Sequence, residues 1–230
     1  MRNEVLIVAR TRMSDNHACI GGIVIGSDDS EDHEAFEFLR SVRLYPPEGS
    51  FTQDQAIQVG YVFTLEMSPA EDPTPPHIED VVVTRGSREN SMSDAELIAF
   101  LDKYASEFYG QGRWGDGKPG ELLDSHIKAT SNGSGYIDET DIPPVSTGFW
   151  VPDKDLEQHA DGEGKIRYYY PNRAPSGIRR LTYVGMRTPP EVVPAGTICR
   201  VSLARWWRPD DYDDSTPERC YLQLSQVYLE

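Results

Sequence analysis

The sequence predicts a mainly β protein made of two small β-barrels in tandem, with one prominent helix at about 93–108 between them. Short apolar, β-branched segments recur along both halves, turn-forming residues separate them, and a single long segment has helical periodicity. Each half carries about five such segments, the number that an OB-type barrel needs. We expect an acidic N-terminal barrel at 1–92, a helix-and-loop connector at 93–144 and a basic C-terminal barrel at 145–230.

The predicted strands alternate with loops that are rich in glycine, proline and acidic residues. Those of the first half are EVLIVART, ACIGGIVI, SVRLY, AIQVGYVFTLEM and HIEDVVVT. Those of the second half are TGFWVP, KIRYYYP, IRRLTYVGM, GTICRVSLARWW and ERCYLQLSQVYL. Adjacent glycines at 21 and 22 indicate a bulge or bend in the second strand.

One pattern occurs in both halves. Gly60 and Gly196 each stand just before a strong strand, and each strand is followed by a loop of prolines and acids and then by a further strand. This common order predicts a divergent duplication of one barrel.

The helix has a recognisable start. Ser93 and Glu96 have the spacing of a capping box, in which each residue satisfies the backbone N–H of the other. Five apolar side chains of this helix lie on one face: Leu97, Ile98, Leu101, Tyr104 and Ala105.

Charge is distributed unevenly along the chain, which carries 22 basic and 38 acidic residues and a net charge of −16. Residues 151–230 hold 11 of the basic and 12 of the acidic residues, so the first 150 hold 11 and 26. Within 165–208, nine basic residues accompany one acidic residue, Glu191. Because an acidic surface repels phosphate, this basic segment is where a polyanionic ligand is expected.

Composition excludes several other classes. No run of about 18 apolar residues is present, so the sequence predicts no membrane partner. Cys19, Cys199 and Cys220 are odd in number and lack CxxC spacing, which is typical of neither a disulfide framework nor a zinc site. We expect a cytoplasmic protein without a cofactor.

Basic and aromatic residues alternate in two predicted strands, and a strand points alternate residues to opposite faces. In RVSLARWWR, Val201 and Leu203 predict that Trp207 points into the core and Trp206 points outward. The outward set across both strands is Lys165, Arg167, Tyr169, Arg200, Trp206 and Arg208. Cations for phosphates and rings for bases on one face would bind single-stranded nucleic acid or a nucleotide, and Arg179 and Arg180 lie in the same basic segment. The same residue types are enriched in protein–protein interfaces.

Three arginines of the first half form a second candidate set: Arg10, Arg12 and Arg43. They could hold phosphate, but pairing with the abundant carboxylates of that half is the favoured interpretation.

The tetrapeptide His77-Ile78-Glu79-Asp80 brings metal-ligand residue types together, as a metal-dependent hydrolase would require. Successive strand residues point to opposite faces, however, so a polar turn is favoured over a metal site. The acidic run at 28–37 is expected to be a solvated loop.

Several segments resemble the dual OB-containing domain family of bacteria. They are the strand and turn that lead to CIGG, the Arg-Leu pair at 43–44, the glycine-led strand, HIED and RCYLQLS. The resemblance covers nearly the full length and implies two OB-like barrels, an association with bacterial defence or conflict systems, and nucleic acid or nucleotides as ligand. It brings no catalytic residues.

We therefore expect a non-enzymatic binding protein. Its C-terminal barrel would hold single-stranded nucleic acid or a nucleotide, and its acidic N-terminal half would face a partner protein. The alternative is an acidic protein-interaction adaptor with no nucleic-acid ligand.

Overall fold

A computed structural model describes residues 2–27, 40–108, 126–162, 164–170, 180–208 and 216–230. The first half forms the elements β1 (Arg2–Arg12), β2 (His17–Ser27), β3 (Arg40–Tyr45), β4 (Phe51–Thr52), β5 (Tyr61–Pro69), β6 (Asp80–Ser91) and α1 (Asp94–Phe108). The second half begins with β7 (Lys128–Ala129), β8 (Gly135–Ile137), β9 (Thr147–Trp150) and β10 (Leu156–Ala160). It continues with β11 (Ile166–Tyr169), β12 (Arg180–Tyr183), β13 (Val192–Val193), β14 (Cys199–Leu203) and β15 (Cys220–Val227). The prediction of a mainly β protein is confirmed.

Five of the first six strands form a closed barrel, and the short strand β4 pairs with β2 at its side. Their order is β1-β5-β6-β3-β2-β4, and β2 pairs back to β1, so that five strands form a complete ring. The pairing of β3 with β6 is parallel, and the other ladders of the ring are antiparallel. Alternate residues of these strands fill the interior, which includes Val5, Ile7, Ile20, Val42 and Leu65.

The glycine pair of β2 lies opposite a bulge, but the bulged residue is in β1 and not in the second strand as predicted. Ile7 pairs with Gly22 and Ala9 pairs with Gly21, so the extra residue belongs to β1 and is Val8. The bulge bends both strands where the first half contacts the second.

The second half forms a sheet in the order β13-β10-β11-β12-β15-β14-β9. The pairing of β12 with β15 is parallel, like that of β3 with β6. Among the described residues no ladder joins β13 to β9, so closure of a second barrel stays a prediction. The core of this half contains Trp150, Tyr168, Leu181, Val201 and Leu203.

Some strands fall where the sequence predicts loops. The polar stretch at 128–137 forms the hairpin of β7 and β8, and β8 pairs with the start of β15. The strands β7 and β8 are only two and three residues long, too short for period-two alternation to reveal them.

The helix begins with the predicted capping box. The backbone N–H and hydroxyl of Ser93 both donate to Oε2 of Glu96 at 2.8 Å, and the backbone N–H of Glu96 donates to the Ser93 hydroxyl. Leu97 and Leu101 are 1% exposed, as the helical period predicts. The predicted face residues Tyr104 and Ala105 lie outside the residues with described side chains.

The two halves share a hydrophobic cluster. Leu97 and Leu101 of α1 pack there with Val8 of the first barrel and with Phe149 and Tyr228 of the second half. The Tyr228 hydroxyl donates a hydrogen bond of 2.7 Å to the carbonyl of Val8. This shared core packs the two halves against each other.

No helix within the described residues is long and apolar enough to cross a membrane.

Candidate ligand-binding groove

A groove of about 1070 Å³ lies over β11 and β12, next to the β7–β8 hairpin. We call it the basic groove, because its described lining contains five cationic side chains and neither aspartate nor glutamate. The cations are Arg12, Lys165, Arg167, Arg180 and Arg219. The positive charge of this surface contrasts with the net charge of −16 of the chain as a whole.

Neighbouring polar groups fix two of these guanidinium groups. Arg167 forms an ion pair with Asp161 at 2.9 Å and donates to the hydroxyl of Thr182 on the adjacent strand. Arg180 donates to the Ser134 hydroxyl at 2.9 Å, which ties β12 to the turn of the β7–β8 hairpin. Arg167 is therefore partly neutralised, whereas the partner of Arg180 among the described residues is a neutral hydroxyl.

One end of the groove carries three aromatic rings and a guanidinium group, which we call the aromatic end: Tyr136, Trp207, Arg219 and Tyr221. The Trp207 and Tyr221 rings meet edge-on, with 6.1 Å between their centroids. The centroids of the Tyr221 and Tyr136 rings are also 6.1 Å apart. The Arg219 guanidinium lies over the Tyr136 ring, 4.2 Å from its centroid, a cation–π contact. Backbone hydrogen bonds of 3.0 and 3.1 Å join Trp207 to Arg219 and hold the two side by side.

The predicted orientation of the two tryptophans is wrong. Trp207 is 52% exposed, whereas Trp206 is half-buried and packs against the core of the second half. Leu203 pairs with Leu222, but the next bridge joins Trp207 to Arg219, so four steps on one strand match three on the other. This extra residue is a bulge, and it reverses which side chains face the core.

Trp206 connects the two halves instead of facing a ligand. Its indole N–H donates to the carbonyl of Pro75 in the first half at 2.8 Å.

Arg200 was predicted to be part of the exposed outward face, but it is buried. The residue is 4% exposed, and its guanidinium packs against Gly21 of the first barrel. A side chain that points away from its own sheet becomes buried here because the other barrel covers that face.

Two further members of the predicted outward set do not line the groove. Tyr169 packs edge-on against His159 at 5.0 Å, and Arg208 donates to the carbonyl of Thr216 at 3.3 Å. Lys165, Arg167 and Arg180 line the groove, and their role in binding stays a prediction. Arg179 lies outside the described residues, as does the acidic run at 28–37.

The three arginines of the first half have different environments. Arg43 is buried and forms ion pairs with Asp80 at 2.8 Å and Glu79 at 3.7 Å, which confirms the carboxylate interpretation for this residue. Arg10 donates to the backbone carbonyls of Gln53 and Gln55. Arg12 is exposed and lines the basic groove.

The polar side chains of the HIED segment converge on Arg43. Nδ1 of His77 lies 2.6 Å from a guanidinium nitrogen of Arg43, and because arginine only donates, Nδ1 accepts. The other ring nitrogen then donates to the carbonyl of Ala204 at 3.2 Å. Burial, together with Arg43 and Arg205, lowers the pKa of His77 to about 3. The described residues contain no cluster of three metal-ligand side chains.

Cys220 lies beside His77, with Sγ 4.0 Å from Nε2. Burial raises the pKa of the Cys220 thiol to about 12, so the sulfur stays protonated at neutral pH. Because the neighbouring imidazole is held neutral, the pair lacks the thiolate–imidazolium character of an activated nucleophile.

Sequence reasoning missed Tyr136, Arg219 and Tyr221 and placed Trp207 in the core. Arg219 and Tyr221 are two apart at the start of β15, a spacing that puts both on one face. Tyr136 lies in the predicted helix-and-loop connector at 93–144, so no sequence signal connected it to the others.

Comparisons with protein-family models, with curated proteins and with solved structures find no match to this chain. The resemblance to the dual OB-containing domain family therefore stays a prediction. Any function has to be inferred from the residues of the groove.

Proposed function

We propose that the protein binds single-stranded nucleic acid in the basic groove, with bases stacked at the aromatic end and phosphates facing the cations. The observation that carries this proposal is the groove lining, which combines cations and exposed rings without a carboxylate among its described residues. Grooves of this composition suit single strands, because every base has a π-face and every nucleotide a phosphate.

The rings are available to a ligand. Trp207 is 52% exposed, and Tyr136 and Tyr221 are partly exposed beside it. The Trp207 and Tyr221 rings meet edge-on rather than face to face, so the two rings do not stack on each other. The Arg219 guanidinium lies over the Tyr136 ring and lines the same groove as the other cations, and one guanidinium can contact both a base and a phosphate.

The position of the groove also supports an OB-type arrangement in the second half. If β9 and β10 are one interrupted first strand, the path β10-β11-β12-β15-β14-β9 has the same order as the ring β1-β2-β3-β6-β5 of the first barrel. OB barrels bind ligands on strands 2 and 3 and on the loops after strands 1 and 4. The corresponding elements here are β11, β12 and the segments that follow β10 and β14, which line the groove.

The two glycines that suggested a duplication agree with this correspondence. Gly60 and Gly196 both have positive φ, +94° and +81°. The N–H of Gly60 donates to Ile7 in β1, and that of Gly196 donates to Pro152, between β9 and β10. Each glycine thus begins the fourth strand of its half by bonding to the first.

The test is fluorescence anisotropy with labelled single-stranded DNA and RNA, titrated with wild type, Trp207→Ala and Arg219→Gln. Arg88→Gln is the matched control, since Arg88 is an exposed arginine of β6 outside the groove. We expect saturable binding that both groove variants weaken and the control does not. Absence of saturable binding at low salt, or groove variants that bind like wild type, would overturn the proposal.

A mononucleotide is the smaller version of the same ligand and is tested by competition with the labelled strand. A second candidate function is that of a protein-interaction adaptor, favoured by the 52% exposure of Trp207, since exposed tryptophan next to arginine is typical of interface hot spots. An adaptor would ignore oligonucleotides at all salt concentrations. A role in bacterial defence rests on the family resemblance alone.

A further inference from the structure

A second cavity, of about 260 Å³, lies between the two halves of the molecule. Four arginines line it, two from each half: Arg12, Arg43, Arg200 and Arg205. Its described lining contains no carboxylate and several hydroxyl groups, those of Thr11, Ser14, Tyr45, Thr147 and Ser202. We call it the inter-barrel cavity.

Carboxylates outside the cavity neutralise two of these arginines. Asp80 pairs with both, at 2.8 Å from Arg43 and 2.5 Å from Arg205. Glu79 lies 3.7 Å from Arg43, and the hydroxyl of Tyr45 accepts from Arg205. These contacts fix Arg43 and Arg205 at the wall of the cavity.

Arg200 has no such partner among the described residues. It is 4% exposed, and among the described residues its guanidinium makes one hydrogen bond, a long contact of 3.5 Å from Nη2 to the Ser41 hydroxyl, while its Nε is buried without an acceptor. A methyl group at Gly21 would lie 2.7 Å from Nη1, so the first barrel holds the guanidinium closely in place. A buried cation without a counter-ion is strongly destabilising, because desolvation is not offset by attraction.

We propose that the inter-barrel cavity is an anion site for a phosphate group, with the Arg200 guanidinium as its principal donor. Four arginines against two carboxylates leave about two positive charges, which match the charge of a phosphate monoester near neutral pH. Guanidinium forks and hydroxyl groups suit its tetrahedral oxygens. The volume of 260 Å³ is below that of ordinary ligand pockets, which suits a phosphate rather than a whole nucleotide.

The phosphate has two possible sources with the same chemistry. Arg12, Ala204 and Gln223 line both the inter-barrel cavity and the basic groove, so the two are adjacent. The group is either a free inorganic phosphate or pyrophosphate, or the terminal phosphate of a strand that lies in the groove. The site itself stands on Arg200 and goes beyond the proposed function, because it does not require the groove to bind a strand.

The experiment is isothermal titration calorimetry with inorganic phosphate and with pyrophosphate, in a phosphate-free buffer. We expect wild type to bind at least one of them, Arg200→Met to lose about tenfold or more in affinity, and Ser202→Ala to weaken it less. Arg187→Met is the matched control, since Arg187 pairs with Asp94 away from the cavity, and it should bind like wild type.

Folding is monitored in parallel by thermal unfolding. If Arg200 is kept for an anion, Arg200→Met should unfold at the same or a higher temperature than anion-free wild type, and phosphate should raise the Tm of wild type more than that of Arg200→Met. If Arg200→Met does not fold, the anion affinity of Ser202→Ala still tests the site, because it should be lower than that of wild type. Wild type that binds neither anion and shows no rise in Tm, or variants that bind both like wild type, would refute the site.

Oligonucleotides with and without a terminal phosphate identify the source. Tighter binding of the phosphorylated strand that is lost in Arg200→Met identifies the terminal phosphate, whereas equal binding alongside a positive phosphate titration identifies the free anion. Trp207→Ala should weaken strand binding and leave the phosphate titration unchanged. Failure of the groove and failure of the cavity are thereby distinguishable.

Discussion

The indole of Trp207 meets the ring of Tyr221 edge-on, with 6.1 Å between the ring centroids and 61° between their planes. Tyr221 belongs to β15, and Trp207 belongs to the segment after β14, so the contact spans the loop that joins these strands. Because the one-residue bulge places Trp207 outside the core, this pair defines the aromatic end of the groove.

The two adjacent tryptophans should respond oppositely to substitution. Trp207→Ala should weaken strand binding by about 5- to 150-fold, corresponding to about 1–3 kcal/mol for one stacked base, with little change in stability. Trp206→Ala should lower the free energy of unfolding by about 2 kcal/mol, because it removes core packing and a hydrogen bond between the halves. Anisotropy and urea unfolding followed by circular dichroism measure the two effects. A loss of stability in Trp207→Ala together with weaker strand binding by Trp206→Ala would contradict the structure.

The salt dependence of strand binding should report the number of groove cations that contact phosphates. Each contact to a single strand contributes a slope of about −0.7 in log K against log salt, so five cations give at most about −3.5. Arg219→Gln should reduce the magnitude of the slope by about 0.7, because it removes one contact. A salt series of anisotropy titrations measures the slope, and Arg88→Gln should leave it unchanged. A flat dependence in wild type would argue against phosphate contacts.

Stability should fall in mild acid because His77 is held neutral in the folded state. The ordinary pKa of 6.5 is lowered to about 3, so below about pH 6.5 the unfolded chain takes up a proton that the folded chain does not. His77→Gln keeps an acceptor for Arg43 and a donor for Ala204 but does not titrate. The difference in free energy of unfolding between wild type and this variant should change by about 2 kcal/mol, to the disadvantage of wild type, between about pH 6.5 and about pH 5.

Urea unfolding across this pH range tests the His77 prediction. Other ionisable groups contribute equally to both proteins, so the difference between the two curves isolates the imidazole. Parallel curves would mean that His77 is protonated in the folded state as readily as in the unfolded chain.

Gly60 and Gly196, which precede β5 and β14, should differ in their tolerance of alanine. Both have positive φ, which costs a residue with a Cβ about 1–2 kcal/mol. At Gly196 a Cβ would meet nothing within 4 Å, whereas at Gly60 it would lie 2.7 Å from the carbonyl oxygen of Met92. Gly60→Ala should therefore be clearly more destabilising than Gly196→Ala in chemical denaturation. Equal losses of unfolding free energy in the two variants would mean that the backbone near Met92 shifts to make room for the added methyl group.

Local patterns predicted much of the fold. Alternating apolar residues predicted the long strands, and the Ser93–Glu96 spacing predicted the start of α1. Gly60 and Gly196, which have positive φ, indicated the strands that follow them. The charge count also located the basic segment that supplies Lys165, Arg167 and Arg180 to the groove. Each of these features depends on residues that are close together in the chain, so the sequence carries it directly.

What the sequence by itself determined is therefore the class of the protein, most of its strands and the segment that carries positive charge. Only the tertiary structure decided which of these side chains meet. A single bulged residue exposes Trp207, and the first barrel buries Arg200 against Gly21. Because alternation fixes a side chain relative to its own strand and not to the distant segments that cover it, burial and site composition are set by packing between the two halves.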